Sequence, residues 1–217
     1  MSYLMLIVLS LVIGLGAQHY VNSQIKKYSS VPSAFGLSGV QMGQRMLAYN
    51  GVAQIPFHQG SAGQDHFDPR SNSITLDPHA YGTASITAVA TACHEVGHAC
   101  QFANGYLPMK MRSALVPVVN FASNVWMFVL LAGIFLNMVG LIDLAIALYA
   151  FAVLFQLVTL PVEFNASHRA MDYLKVAGAP ADEQVAAFKV LRACALTYVA
   201  AALVSILQLL WLLGQRN

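Results

Sequence analysis

The chain has 217 residues, of which 58% are hydrophobic and 9% charged, and a formal net charge of +2. A soluble domain carries about a quarter charged residues, so this composition argues against one and points to a membrane protein. Eleven Lys/Arg with no basic run or aromatic interleaving argue against a nucleic-acid binder, and three cysteines (Cys93, Cys100 and Cys194) argue against a disulfide scaffold.

The opening MSYLMLIVLSLVIGLGAQHY supplies the roughly 20 apolar residues that a spanning helix needs. No Lys or Arg precedes its apolar core, so residues 1–19 read as a transmembrane anchor rather than a cleaved signal peptide. Residues 20–113 contain the main polar segment. Within it, SGVQMGQRMLAYNG (Ser38 to Gly51) has Ser at a plausible N-cap, Gln three residues on and a closing Gly, which predicts a short capped helix. GVAQIPFH and SITLDP flank a connection rich in Gly, Asp, Pro and Asn and read as two strands of a small sheet. Thr83 to Asn104 is Ala-rich, has no Pro and is followed by Gly105, which predicts a longer helix.

Residues 114–162 are apolar, interrupted mainly by Asn137, Gly140 and Asp143. One helix of that length, at ~1.5 Å per residue, would be more than twice the ~30 Å thickness of a hydrocarbon core. The stretch therefore predicts a transmembrane hairpin turning near Asn137 to Asp143. Residues 163–193 are a second polar segment, and residues 194–214 a fourth span with Trp211 as interfacial anchor. Ten of the eleven positive charges fall in the two polar segments, which four spans place on one side; Arg216 is the exception. The positive-inside tendency makes that side the cytoplasm, for a multi-pass cell-membrane protein with both termini outside.

His94-Glu95-Val96-Gly97-His98 fits H-E-x-x-H. On a helix, residues four apart share a face, so both imidazoles reach one zinc ion while Glu95 projects beside them toward the water that the metal activates. That arrangement serves peptide hydrolysis, with the glutamate taking a proton and returning it to the leaving amine. The motif also arises by chance on polar helix faces, but here it lies among small and apolar residues, where an unpaired charge is costly to bury. Gly97 costs a helix about 1 kcal/mol and lets another backbone come close. Cys93 and Cys100 are rotated about 100° from His94 and lack the C-x2-C spacing of structural zinc sites, so they read as packing residues.

A catalytic zinc needs a third protein ligand. The candidates are His58, His66, His79, Glu163, His168 and the acids of the polar segment. Glu163 stands out, because LPVEFNASHRAMDYL places it at the cytoplasmic end of the third span, on the same face of the membrane as His94 and His98.

HEVGHACQ, with DHFDPRSNSITLDP upstream and LPVEFNASHRA downstream, resembles the YugP-type family of membrane zinc metallopeptidases over most of the chain. The resemblance implies a gluzincin holding one Zn2+ ion through His94, His98 and Glu163, with Glu95 as general base. Two positions depart from the expected pattern. Asn165 stands where Asp is expected, so any hydrogen bond it makes toward a ligand lacks charge, and His168 stands where Arg is expected. His66, His168 and Arg169 are auxiliary candidates: His66 as ligand, substrate contact or structural residue, and Arg169 as an oxyanion stabiliser or an interfacial cation.

The expected fold is mainly α: a polytopic membrane protein with about four transmembrane helices and a small α+β zincin-like unit facing the cytoplasm. The expected activity is zinc-dependent hydrolysis of peptide bonds in membrane-associated proteins or peptides, with the lipid bilayer as surroundings. A non-catalytic metal-binding scaffold or adaptor is the main alternative. A transporter is the weaker one, since Asn120, Asn124, Asp143 and Gln156 are few and scattered.

Overall fold

Backbone polar groups in lipid must be satisfied within the segment itself, so the apolar runs become helices. The computed structural model describes residues 2–215; Arg216, the positive charge apart from the two polar segments, lies outside them. Helix α1 (Tyr3–Ser29) starts at Ser2, whose side chain accepts the Met5 N–H, and runs ten residues beyond the anchor, to end with Lys26 and Lys27 against the helix dipole. Helix α2 (Gly39–Tyr49) carries the expected capping box between Ser38 and Gln41.

Three short strands follow: β1 (Phe57–Gln59), β2 (His66–Asp68) and β3 (Ser73–Leu76), in the order β1-β3-β2. β1 is parallel to β3, with Phe57 opposite Ile74, and β2 is antiparallel to it, with His66 opposite Thr75. β2 is the strand that the two-strand reading did not include: three residues are too short to show an alternating pattern. A five-residue helix, α3 (Pro78–Gly82), opens on the Asp77 cap.

Helix α4 (Ile86–Ala103) carries the motif. Ser85 caps its start, and Gly105 at φ 64° closes its end, with the Tyr106 N–H bonded to the Gln101 carbonyl at 2.9 Å in a Schellman arrangement. Fourteen of its eighteen residues are buried, as befits a helix enclosed on most sides. It packs on α2 and on two later helices. Its core partners include Met42, Met46 and Leu47 of α2, and Ile74 and Leu76 of β3.

The chain then forms α5 (Leu107–Phe135), α6 (Val139–Val176) and α7 (Ala181–Gly214). The α5–α6 hairpin turns at Leu136 to Met138, with Asn137 at φ 53°, at the start of the range expected from sequence. Helices α1, α5, α6 and α7 are each long and apolar enough to cross a membrane. With 76% helix and one three-stranded sheet among the described residues, the protein is mainly α. Both α6 and α7 extend beyond their apolar runs. α6 continues through Pro161 and past Glu163, so Glu163 sits within a helix rather than at its end. Buried Glu183, in the first turn of α7, accepts hydrogen bonds from Ser33 Oγ (2.5 Å) and the Ala34 N–H (2.8 Å), tying α7 to the segment after α1.

Candidate metal centre

α4 and α6 meet at Gly97. A Cβ there would lie 2.7 Å from the Ala166 carbonyl oxygen and 3.1 Å from its Cα, so only glycine allows this approach. The close crossing brings Glu163, less than one turn before Ala166, to the face of α4 that carries His94 and His98. Glu163 Oε2 stands 3.2 Å from His94 Nε2 and 3.5 Å from His98 Nε2. The two imidazoles meet edge to face, with centroids 4.7 Å apart.

These three side chains form a group that could hold a metal ion, their donor atoms lying within 4.8 Å of one another. Two ligands each about 2.1 Å from a tetrahedral zinc stand about 3.4 Å apart, which matches the two histidine–glutamate distances. The other Glu163 oxygen, Oε1, is buried and has no hydrogen-bond partner among the described residues. An unpaired buried acceptor costs about 1–3 kcal/mol, which a cation beside the carboxylate would offset.

The far nitrogens of both rings are engaged. His98 Nδ1 lies 3.0 Å from Gln101 Oε1, and His94 Nδ1 lies 3.2 Å from Ser167 Oγ. Protonated Nδ1 atoms donating to these oxygens leave the Nε2 lone pairs turned toward Glu163. Gln101 is fully buried and held in turn: its Nε2 donates to the Val162 carbonyl (2.7 Å) and to Asn165 Oδ1 (3.1 Å), which also accepts from Arg169 Nε (2.8 Å). Asn165 thus touches neither histidine and reaches His98 through Gln101. Burial works against a charged His98, but its contact with Glu163 and the Glu95 charge prevail, holding the imidazole above its ordinary pKa.

Sequence reading missed both Gln101 and Ser167. Helical spacing held a signal for each, Gln101 three residues after His98 and Ser167 four after Glu163.

Glu95 is buried on α4 between the two histidines in sequence. His66 sits exposed on β2, and exposed His168 pairs with Asp172 at 3.2 Å. Neither residue, nor Arg169, belongs to the three-residue group. Cys93 and Cys100 are fully enclosed in the core, where burial pushes both thiols up, as packing residues require. Asp65, just before β2, is pushed up to about 6, first by burial and then by the neighbouring Asp77 and Glu95 charges, against the Asp77 N–H bonded to it.

Four candidate spans and a three-residue group that could hold a metal ion together point to a multi-pass membrane protein with a candidate metal centre. Residues 3–216 match the family model described as "Putative neutral zinc metallopeptidase", and the chain belongs to that family. It is 42% identical, over 97% of its own length and 94% of the relative's, to the "Putative membrane protease YugP" of Bacillus subtilis (strain 168). No solved structure matches the chain significantly.

Proposed function

We propose that this protein is a membrane-embedded zinc metalloendopeptidase that hydrolyses peptide bonds of membrane-associated proteins or peptides, with its active site on the cytoplasmic side of the cell membrane. The observation that carries this reading is the convergence of His94 and His98 on one Glu163 oxygen, at 3.2 and 3.5 Å, across two helices. His94, His98 and Glu163 are the ligands of one Zn2+ ion. When bound, zinc lowers the pKa of water toward neutrality and polarises the scissile carbonyl.

The chain's own residues do the rest. Gln101 and Ser167 fix the two rings and their tautomers through Nδ1. Glu95 takes the proton from the attacking water and returns it to the leaving amine, as its place between the two histidines allows. Enclosure of α4 by its neighbours keeps the site in a low-dielectric setting, which strengthens each of these interactions. The ten positive charges of the two polar segments support the cytoplasmic orientation.

The test is a proteomic comparison of membrane fragments between cells carrying the wild-type protein and cells carrying Glu95→Gln. Fragments that vanish in the variant, with their parent proteins accumulating, support a peptidase. Identical fragment sets, with zinc held equally by both proteins, point to the scaffold reading.

A further inference from the structure

Beyond their apolar runs, α6 and α7 leave between them a groove of about 650 Å3. On α6 the lining residues Phe164, Ser167, His168, Met171 and Lys175 recur at steps of three and four, which is one face of a helix. Phe188, Leu191, Arg192 and Ala195 line it in the same way on α7. From Phe164 to Lys175 the face is about 16 Å long, enough for about five residues of extended chain.

The floor is apolar and closed, since Met171 and Leu191 are buried, whereas the rims hold two half-exposed rings, Phe164 and Phe188, each 50% accessible. Lys175 and Arg192 are exposed cations of the lining, and among the described residues no carboxylate lines it, the exposed Asp172 pairing with His168 of the lining at 3.2 Å. At its inner side lies Ser167, whose hydroxyl is 3.2 Å from His94 Nδ1. Ser167 therefore joins the inner end of the groove to the far side of the His94 ring, so that an occupant lies beside the candidate metal centre. Ser167 and Gln184 also offer hydrogen bonds along the walls, which suit a peptide backbone and which an acyl chain does not need.

We propose that this groove seats the substrate as an extended apolar peptide segment carrying a carboxylate. Phe164, Met171, Phe188 and Leu191 take the apolar side chains, and Lys175 with Arg192 takes the acid. The inference rests on the peptidase reading and adds the class of segment selected.

The experiment uses full-length, zinc-loaded Glu95→Gln protein in nanodiscs of neutral lipid. The probes are two fluorescein-labelled octapeptides of Leu, Phe and Ala, identical except that one carries Glu and the other Lys. Fluorescence anisotropy should show the Glu peptide binding at least tenfold more tightly. Adding Lys175→Glu with Arg192→Glu should invert that order, and Lys175→Ala with Arg192→Ala, a milder change, should abolish the preference. Phe188→Ala should weaken both peptides.

A preference unchanged by both double variants overturns the proposal. So does loss of peptide binding when an anionic phospholipid is mixed into the disc, which assigns the groove to lipid. Cleavage of a general peptide substrate by the wild-type protein separates the two readings. Cleavage with an unchanged peptide preference sinks the groove alone, whereas an inverted preference without cleavage supports the groove and sinks the peptidase.

Discussion

Gly97 of α4 and Ala166 of α6 meet backbone to backbone, so closely that a Cβ on residue 97 would press to 2.7 Å from the Ala166 carbonyl oxygen. This crossing sets the distance from the two histidines to Glu163. Gly97→Ala improves helix propensity by about 1 kcal/mol, but overpacking a tight site costs about 1–3 kcal/mol. The helices must part, taking Glu163 with α6. We expect lower zinc content per chain and a lower unfolding temperature in detergent; full zinc with a raised unfolding temperature would show that the contact does not position the site.

Glu163→Ala removes one of the three proposed ligands and leaves the two histidines facing an apolar gap. Atomic absorption on purified protein should find most of the zinc lost. Cys93→Ala with Cys100→Ala should retain it, at a packing cost of about 1 kcal/mol per residue, because both thiols are enclosed in the core and outside the ligand group. The opposite pattern would return the cysteines to the ligand set.

Much of this was legible in the sequence because it was written in strong, local signals. The apolar runs, the Ser38–Gln41 capping box and the Gly105 stop each depend on a few neighbouring residues, and all appear where the pattern put them. Glu163 was reached by topology, since a hairpin with both polar segments on one side brings it back to His98. What escaped was tertiary. Strand β2 exists because β3 offers it an edge, and its own three residues carry no period. Gln101 is a common helix residue that nothing but its spacing from His98 on α4 sets apart, and the partner of Ser167, His94, depends on how α4 crosses α6. Asn165, marked in the sequence only as an uncharged residue where Asp is expected, holds the glutamine that meets His98.

Gln101 is the residue through which that relay works. Gln101→Met keeps the volume and removes the acceptor for His98 Nδ1. Losing such a partner lowers metal affinity by about 10–100-fold. Competition with a zinc chelator should read this drop, while Asn165→Asp, which keeps an acceptor for both Gln101 and Arg169, should hold zinc at least as well as wild type. Equal zinc affinity in Gln101→Met would remove the glutamine from the account.

Asp65 gives stability a pH dependence of its own. Its pKa is about 6 in the folded protein against an ordinary 3.8, so between those values the folded state binds more protons than the unfolded one. Stability from this group is therefore retained below about pH 4 and lost as pH rises through about 6. Because the carboxyl is partly exposed, screening reduces the effect to on the order of 1 kcal/mol. Asp65→Asn, which can still accept the Asp77 N–H, should unfold at a higher temperature than wild type at pH 7.5 and show no such advantage at pH 4. An advantage of the same size at both values would show that Asp65 does not titrate between them.

The central claim is that Glu95 moves the proton in a peptide hydrolysis at the His94–His98–Glu163 centre. It is tested most directly by purifying wild-type and Glu95→Gln proteins, verifying one zinc per chain in both, and measuring cleavage of the same peptide. General acid–base groups contribute about 10²–10⁴-fold, so the variant should keep its zinc and its fold and cleave at least 100-fold more slowly. Equal cleavage by the zinc-loaded variant would contradict the account.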